Sequence, residues 1–241
     1  MSDSLGKPDK DYSSHLMGAG CSNLKMKRNK LRESSNLGKM PHQGLRIGII
    51  GGTFDPIHIG HLAIAEEVRQ QCDLDKVIFM VAGKPALKDF NSIASPDDRY
   101  WMCCLATADN PHFEVSRAEV DRIGTTYTID TLRELHTQLR PEDELFFIMG
   151  ADALRDMPLW KDAHLVGKYA HFIVTTRAGY DLSEGSAAVV KRLPGFTYDV
   201  VKPPNIDISS TEVRRRFAKG LNNRYLVCEE VIHYIKEKYI Y

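Results

Sequence analysis

The sequence lacks the features that mark exported, membrane-spanning and disulfide-bonded proteins. None of its apolar runs approaches the roughly 18 residues that a membrane helix needs, and no apolar signal-peptide core stands near the N-terminus. The five cysteines are odd in number and include no C-x-x-C pair, which makes a poor disulfide framework and a poor zinc site. We therefore expect a cytoplasmic protein with reduced thiols and no membrane segment.

Net charge is also absent. Lysine and arginine together number 32, as do aspartate and glutamate, so no overall field attracts nucleic acid or a membrane surface. With 241 residues, of which 43% are hydrophobic, the chain is long enough for one sizeable domain with a small appendage. Nothing in the sequence indicates an oligomeric state.

Residues 1–44 have few aromatic residues and no sustained hydrophobic periodicity. We expect them to form a disordered tail, because such a segment buries too little apolar surface to offset its ordering entropy. A basic run in this tail indicates either a solvated segment, which we favour, or a nucleic-acid contact. The basic residues of the run are Lys25, Lys27, Arg28, Lys30 and Arg32. A nucleic-acid-binding protein is the corresponding alternative for the function.

From residue 45 to residue 241, apolar runs alternate with helix-like segments. Strands are predicted at Arg46–Ile50, Val77–Ala82, Phe113–Ser116, Glu144–Met149, His171–Thr175 and Thr197–Val201. Helices are predicted at Gly60–Cys72, Pro96–Asp109, Thr128–Leu139, Ser186–Leu193, Ser210–Lys219 and Tyr225–Lys238, with a short one from Ala151. This alternation predicts an α/β domain, a Rossmann-like open parallel sheet with helices on both faces and a small C-terminal helical segment.

The densest pattern is G-G-T-F-D-P-I-H-I-G-H at residues 51–61, here called the phosphate turn. It lies between the first predicted strand and helix, at the sheet edge where open α/β proteins bind ligands. Glycines let the backbone approach a phosphate, and the start of the following helix offers free N–H groups. The pattern is neither a G-x-G-x-x-G fingerprint nor a Walker loop, so dinucleotide cofactors and NTP hydrolysis are weakly indicated.

His58 and His61 stand three residues apart within the phosphate turn. A helix that begins near Ile59 brings both imidazoles to its first turn. There they can donate hydrogen bonds to the negative charge that develops on phosphate oxygens. A metal pair is one alternative, although no third ligand is nearby, and two capping or packing histidines are another.

A second pattern, I-S-S-T-E-V-R at residues 208–214, places hydroxyls at a predicted helix start and Arg214 one turn later. This arrangement is typical of a polyphosphate cradle. The alternative is a capped helix with a solvated basic face. Although the two patterns are far apart in sequence, both can meet on one triphosphate at the edge of the sheet.

Together the two patterns resemble the nucleotidylyltransferase superfamily. R-I-G-T-T-Y-T-I-D-T-L at 122–132, and G-A-D-A-L at 150–154 followed by Trp160, are similar to segments of bacterial nicotinate-nucleotide adenylyltransferases. The resemblance spans residues 45–241. It implies transfer of AMP from ATP to nicotinate mononucleotide, in line and without a covalent intermediate, giving deamido-NAD and pyrophosphate in NAD biosynthesis.

The resemblance also implies which residues form the site. Those implied to be catalytic are His58, His61, Lys88 and Arg214. Those implied to bind ATP are Gly51, Gly52, Thr53, Phe54, His58, His61, Asp152, Ile208, Ser209, Ser210 and Arg214. Those implied to bind nicotinate mononucleotide are Thr53, Lys88, Tyr127, Thr128, Asp152 and Trp160. Magnesium would be held mainly by ATP oxygens and water, with no protein metal site.

Some positions depart from the family pattern or have a structural alternative. The segment usually written Pro-Pro-His-Lys is Pro-Ala-Leu-Lys at 85–88, Thr126 replaces a serine, and Thr125 stands where proline is common. Asp152 is alternatively a helix N-terminal carboxylate, and Trp160 alternatively a core residue. The remaining alternatives for function are an adenylyltransferase for nicotinamide mononucleotide or phosphopantetheine, and a non-catalytic nucleotide-binding regulator.

Overall fold

The computed structural model describes residues 44–85, 94–176, 189 and 191–241. The predicted tail up to residue 43, Lys88 and half of the predicted helix at 186–193 therefore lie outside the described residues. Within the described ranges, no helix combines the length and apolar character needed to cross a membrane.

The strands of the described residues form one parallel sheet. They are β1 (Arg46–Gly52), β2 (Lys76–Val81), β3 (Phe113–Ser116), β4 (Glu144–Gly150), β5 (His171–Thr175) and β6 (Tyr198–Val201). Their order across the sheet is β3-β2-β1-β4-β5-β6, and every neighbouring pair is parallel. The order reverses between β1 and β4, so the crevice at their C-terminal ends is the expected ligand site of such a fold.

The helices connect these strands and cover the sheet. They are α1 (Ile59–Gln71), α2 (Pro96–Thr107), α3 (Thr128–Gln138), α4 (Ala151–Asp156), α5 (Ser210–Ala218) and α6 (Glu229–Lys238), with 3-10 turns at Met157–Leu159 and Ala163–Lys168. The predicted strands and these helices are confirmed to within two residues at each boundary, with the exception of the start of α6.

The predicted start of the last helix at Tyr225 is wrong, since α6 begins at Glu229. Tyr225 has a φ of 67°, in the left-handed region, which cannot continue a right-handed helix. The backbone N–H of Leu226 instead donates to the carbonyl of Asn223 at 3.1 Å. A tight turn therefore precedes α6, and it contributes to the site described below.

Two hydrophobic cores lie on opposite faces of the sheet. Neighbouring β1 residues alternate between them: Ile50 belongs to one core and Ile49 to the other, as the two-residue period of a strand requires. The first core includes Val68 of α1 and Val231 of α6, and the second includes Leu132 of α3. The prediction of helices on both faces is thus confirmed.

Candidate active site

The phosphate turn leaves β1 at Gly52 and enters α1 at Ile59, at the C-terminal edge of the sheet. Within it, Phe54 has a φ of 50° and its buried ring meets the His61 ring edge-on at 5.0 Å. A Cβ atom on Gly60 would stand 2.8 Å from Cγ2 of Ile208, which is too close for any real contact. Glycine at this position therefore lets α1 begin directly against the second sequence pattern.

The two histidines lie together as predicted. Their rings are stacked, with centroids 3.7 Å apart, and His58 is 6% exposed. The backbone N–H of His58 donates to Nδ1 of His61 at 3.2 Å. Because a ring nitrogen that accepts a hydrogen bond bears no proton, the neutral His61 ring has its proton on Nε2. His58 is also the N-cap residue of α1, so the capping interpretation describes part of its role.

The prediction of free backbone N–H groups at the start of α1 is only partly correct. The N–H of Ile59 donates to the carbonyl of Leu226 at 3.0 Å, within the turn that precedes α6. The N–H of His61 donates to the carbonyl of His58 at 2.9 Å. These two amides at the start of α1 are therefore engaged within the protein.

The second pattern meets the phosphate turn, as the sequence predicts. Ser209 caps α5 by accepting the Glu212 N–H at 3.2 Å. The hydroxyl of Ser210 donates to the carbonyl of Pro56 at 2.9 Å. Nη1 of Arg214 donates to the carbonyl of Asp55 at 2.6 Å, so the start of α5 and the phosphate turn form one surface.

A buried arginine that sequence reasoning missed, Arg99, donates hydrogen bonds to the phosphate turn and to neighbouring loops. Arg99 of α2 is fully buried, and burial lowers its pKa while Asp55 opposes that shift. Its guanidinium donates to the carbonyls of Ala94 at 3.1 Å, Thr53 at 2.8 Å and Gly83 at 3.0 Å. Arg99 thereby links the loops that follow β1 and β2.

A sequence signal for Arg99 does exist. The buried face of α2 also includes Met102, Cys103 and Ala106. With Arg99 these residues follow the i, i+3, i+4, i+7 spacing of a core-facing helix stripe. A charged residue within such a stripe indicates a buried guanidinium with internal acceptors.

Asp55 is the second residue that sequence reasoning did not assign. It is 2% exposed, and its Oδ1 accepts the Ala94 N–H at 3.0 Å and the Tyr241 hydroxyl at 2.5 Å. Its Oδ2 lies 3.3 Å from Nη1 of Arg214. Asp55 thus joins the phosphate turn, the residues just before α2, α5 and the segment after α6.

A further segment, residues 117–131, is anchored beside the loop after β2. The N–H of Thr126 donates to the carbonyl of Lys84 at 2.9 Å, and its hydroxyl contacts the same carbonyl at 3.2 Å. The hydroxyl of Thr131 donates to Oε1 of Glu119 at 2.6 Å and accepts from Arg122 at 2.7 Å. Burial raises the pKa of Glu119, which is 8% exposed. We call residues 117–131 the acceptor segment.

The residues predicted to bind the second substrate occupy this side. Tyr127 is the N-cap residue of α3, with Nζ of Lys161 4.9 Å above its ring, and Thr128 begins the helix. The half-buried Trp160 packs against Phe147, with ring centroids 6.1 Å apart. Of the remaining predicted residues, Asp152 is exposed in the first turn of α4 and Lys88 lies outside the described residues.

The donor chemistry of the site suits a metal that arrives with a nucleotide. Among the described residues, no group of three or more His, Cys, Asp and Glu side chains is placed to hold a metal ion. The residues around the two patterns instead offer imidazole, hydroxyl and guanidinium hydrogen-bond donors. A magnesium ion prefers oxygen ligands and would find them on phosphates and water.

Comparisons with known proteins agree with this geometry. The family model of cytidylyltransferase-like proteins matches residues 49–216. A protein of Leifsonia xyli subsp. xyli, named "Probable nicotinate-nucleotide adenylyltransferase", is 47% identical over 196 residues, covering 81% of this chain and 94% of its own. A protein of the same name from Frankia alni is 45% identical over 192 residues, covering 80% and 98%.

A solved structure supports the fold independently. The nicotinic acid mononucleotide adenylyltransferase of Plasmodium falciparum, complexed with NaAD, is similar with a TM-score of 0.65. The match is 19% identical and covers 80% of this chain and 96% of that one. From the two curated relatives, the family model and the convergence of both sequence patterns, the chain belongs to the nicotinate-nucleotide adenylyltransferase family.

Proposed function

We propose that this chain transfers the AMP part of ATP to nicotinate mononucleotide, giving deamido-NAD and pyrophosphate in NAD biosynthesis. Family membership supports the reaction class. The proposed site depends on one observation. The stacked pair His58 and His61 belongs to the phosphate turn, and Ser210 and Arg214 at the start of α5 contact that same turn. The expected compartment is the cytoplasm, and none of the four described cysteines forms a disulfide bond.

In the proposed reaction, a phosphate oxygen of nicotinate mononucleotide attacks the α-phosphorus of ATP. The bond from that phosphorus to the bridging oxygen of the β-phosphate breaks, and pyrophosphate leaves with the bond electrons. Such a transfer requires alignment and charge stabilisation rather than a protein nucleophile. His61 fits this task, because its Nδ1 accepts the His58 N–H, which places the proton of the neutral ring on Nε2.

The start of α5 is suited to the departing pyrophosphate. Nη1 of Arg214 is held by Asp55, whereas the 3.4 Å contact between Nη2 and Thr211 is long, so Nη2 is the donor most readily turned to phosphate. The Ser210 hydroxyl would turn away from Pro56 to donate in the same direction. Ile208 and Ser209 place these groups against the turn.

The remaining ATP contacts fall to the phosphate turn and α4. Gly51, Gly52, Thr53 and Phe54 would lie along the two nucleotides. Magnesium bound with ATP would neutralise phosphate charge, and the exposed Asp152 would approach its waters or a ribose hydroxyl. Lys88 is proposed to neutralise charge between the two substrates.

For the acceptor, the amide groups at the start of α3 and the hydroxyls of Tyr127 and Thr128 would receive the nicotinate carboxylate. A helix N-terminus favours an anion, which is the physical basis for preferring the acid over the amide. Trp160 would stack on the pyridine ring. Its packing against Phe147 restricts the indole and supports this role.

The test is to mix the protein with magnesium, ATP and either nicotinate mononucleotide or its amide, and to time pyrophosphate release. We expect release with the acid, and a loss of about 100-fold or more in kcat for His61→Ala. His233→Ala is the matched control, because this histidine is an exposed residue of α6. Preference for the amide would overturn the substrate assignment. ATP binding without release would favour the regulator, or phosphopantetheine as the acceptor.

A further inference from the structure

The chain reverses direction after α6 and returns to the candidate active site. Tyr239 ends the helix with a φ of 52° and is 92% exposed. The N–H of Ile240 then donates to the carbonyl of Ile235 at 3.1 Å, a bond that turns the backbone inward. As a result Tyr241 packs against the core, with its ring 6.0 Å from that of Phe217.

The Tyr241 hydroxyl reaches the phosphate turn itself. It donates to Oδ1 of Asp55 at 2.5 Å, and the Ala94 N–H donates to the same oxygen at 3.0 Å. Burial and the neighbouring carboxylate raise the pKa of Tyr241 well above its usual range, so the hydroxyl keeps its proton. Asp55 is thus held by one oxygen while its other oxygen, Oδ2, faces Arg214 at 3.3 Å.

We propose that Tyr241 is a positioning residue of the ATP site, acting through Asp55 to keep Arg214 available for polyphosphate. A buried carboxylate needs hydrogen-bond partners, and a guanidinium can supply two parallel ones. Without the tyrosine hydroxyl, Asp55 would turn further toward Arg214 and form a closer pair. That pair would compete with phosphate for the same nitrogens, so ATP affinity would fall. The inference rests on the proposed role of Arg214 in binding ATP.

Tyr241→Phe removes only the hydroxyl and tests this directly. The measurement is the Kd for ATP with magnesium, by calorimetry without the second substrate. We expect binding about tenfold weaker than wild type, the usual scale for a hydrogen bond to a charged group. A Kd within about twofold of wild type would overturn the inference.

Tyr234→Phe is the matched control. The Tyr234 hydroxyl also donates to a carboxylate, Oδ1 of Asp98 at 2.9 Å, but that pair joins α6 to α2 and does not involve Asp55. We expect its Kd for ATP to equal that of wild type. Equal weakening in both variants would overturn the inference, because it would mean that loosening of α6 lowers ATP affinity.

A separate experiment tests whether Tyr241 affects ATP affinity through Asp55. In an Asp55→Asn background, Tyr241→Phe should change the Kd for ATP by less than about twofold, since no carboxylate is left to turn toward Arg214. An undiminished tenfold effect would refute action through Asp55. Pyrophosphate release by the wild type is measured alongside. If ATP binding responds as described but no pyrophosphate appears, the proposed reaction fails while the positioning role stands.

Discussion

The two halves of the candidate site are supported differently. The phosphate turn rests on buried charged groups, since Arg99 is fully buried and Asp55 is 2% exposed. The acceptor side presents half-buried or exposed groups such as Tyr127, Trp160 and Asp152. Polyphosphate binding needs donors fixed in place, which a satisfied buried network provides. These three residues can therefore tolerate substitution better than Arg99 or Asp55, whereas Glu119 gives the acceptor segment a buried group of its own.

The largest effect is expected at Arg99. In Arg99→Lys a single ammonium group cannot reach three carbonyls in different directions, so buried acceptors lose their donors. We expect the free energy of unfolding to fall by about 3 kcal/mol or more, as measured by urea denaturation. Arg215→Lys, on the exposed face of α5 and paired with Glu212, is the control and should leave the free energy of unfolding unchanged. Equal stability of both variants would show that the buried network is not the support.

A smaller and more selective effect is expected at Trp160. Trp160→Leu keeps apolar bulk against Phe147 but removes the indole face, so the KM for nicotinate mononucleotide should rise about fivefold to tenfold. The KM for ATP should stay constant, as steady-state kinetics would reveal. Trp101→Leu is the control, because Trp101 is the other tryptophan of the chain, lies on α2 and has no role in the proposed site. A rise in both KM values would mean that the two halves are not separable.

The smallest effect is a pH dependence at Glu119. Because burial raises its pKa in the folded state, the folded protein binds the proton more readily than the unfolded chain. This contribution to stability is full below the ordinary glutamate pKa, about 4.3, and is lost as pH rises through the raised value. Relative to Glu119→Gln, the wild type should gain unfolding free energy as pH falls from 7 toward 5. Urea titrations at several pH values would check this, and a pH-independent difference would contradict it.

The sequence was sufficient to predict the fold and the meeting of the two patterns, because the strand–helix alternation and each pattern can be read from neighbouring residues. Strand alternation predicted the parallel sheet, and the position of the two patterns predicted that they meet at one edge of it. The contacts of Asp55 and Tyr241 could not be predicted in this way, and for Arg99 the helix pattern indicates burial but not the carbonyls to which it donates. They join residues distant in sequence, and hydrogen bonds to backbone carbonyls leave no side-chain pattern to read.

The start of α6 shows the same limit on a small scale. Tyr225 is compatible with a helix by composition, and only its left-handed backbone excludes it. That conformation lets the neighbouring Leu226 carbonyl accept the Ile59 N–H at the start of α1. The boundary that the sequence pattern missed therefore coincides with a hydrogen bond between Leu226 and the phosphate turn.

The central claim is that two distant sequence patterns form one polyphosphate site. Its most direct test compares ATP and AMP binding to Arg214→Ala by calorimetry. If Arg214 holds the two outer phosphates, ATP affinity should fall by about tenfold or more while AMP affinity stays within about twofold of wild type. Equal losses for both nucleotides would mean that Arg214 only braces Asp55, and would contradict the account.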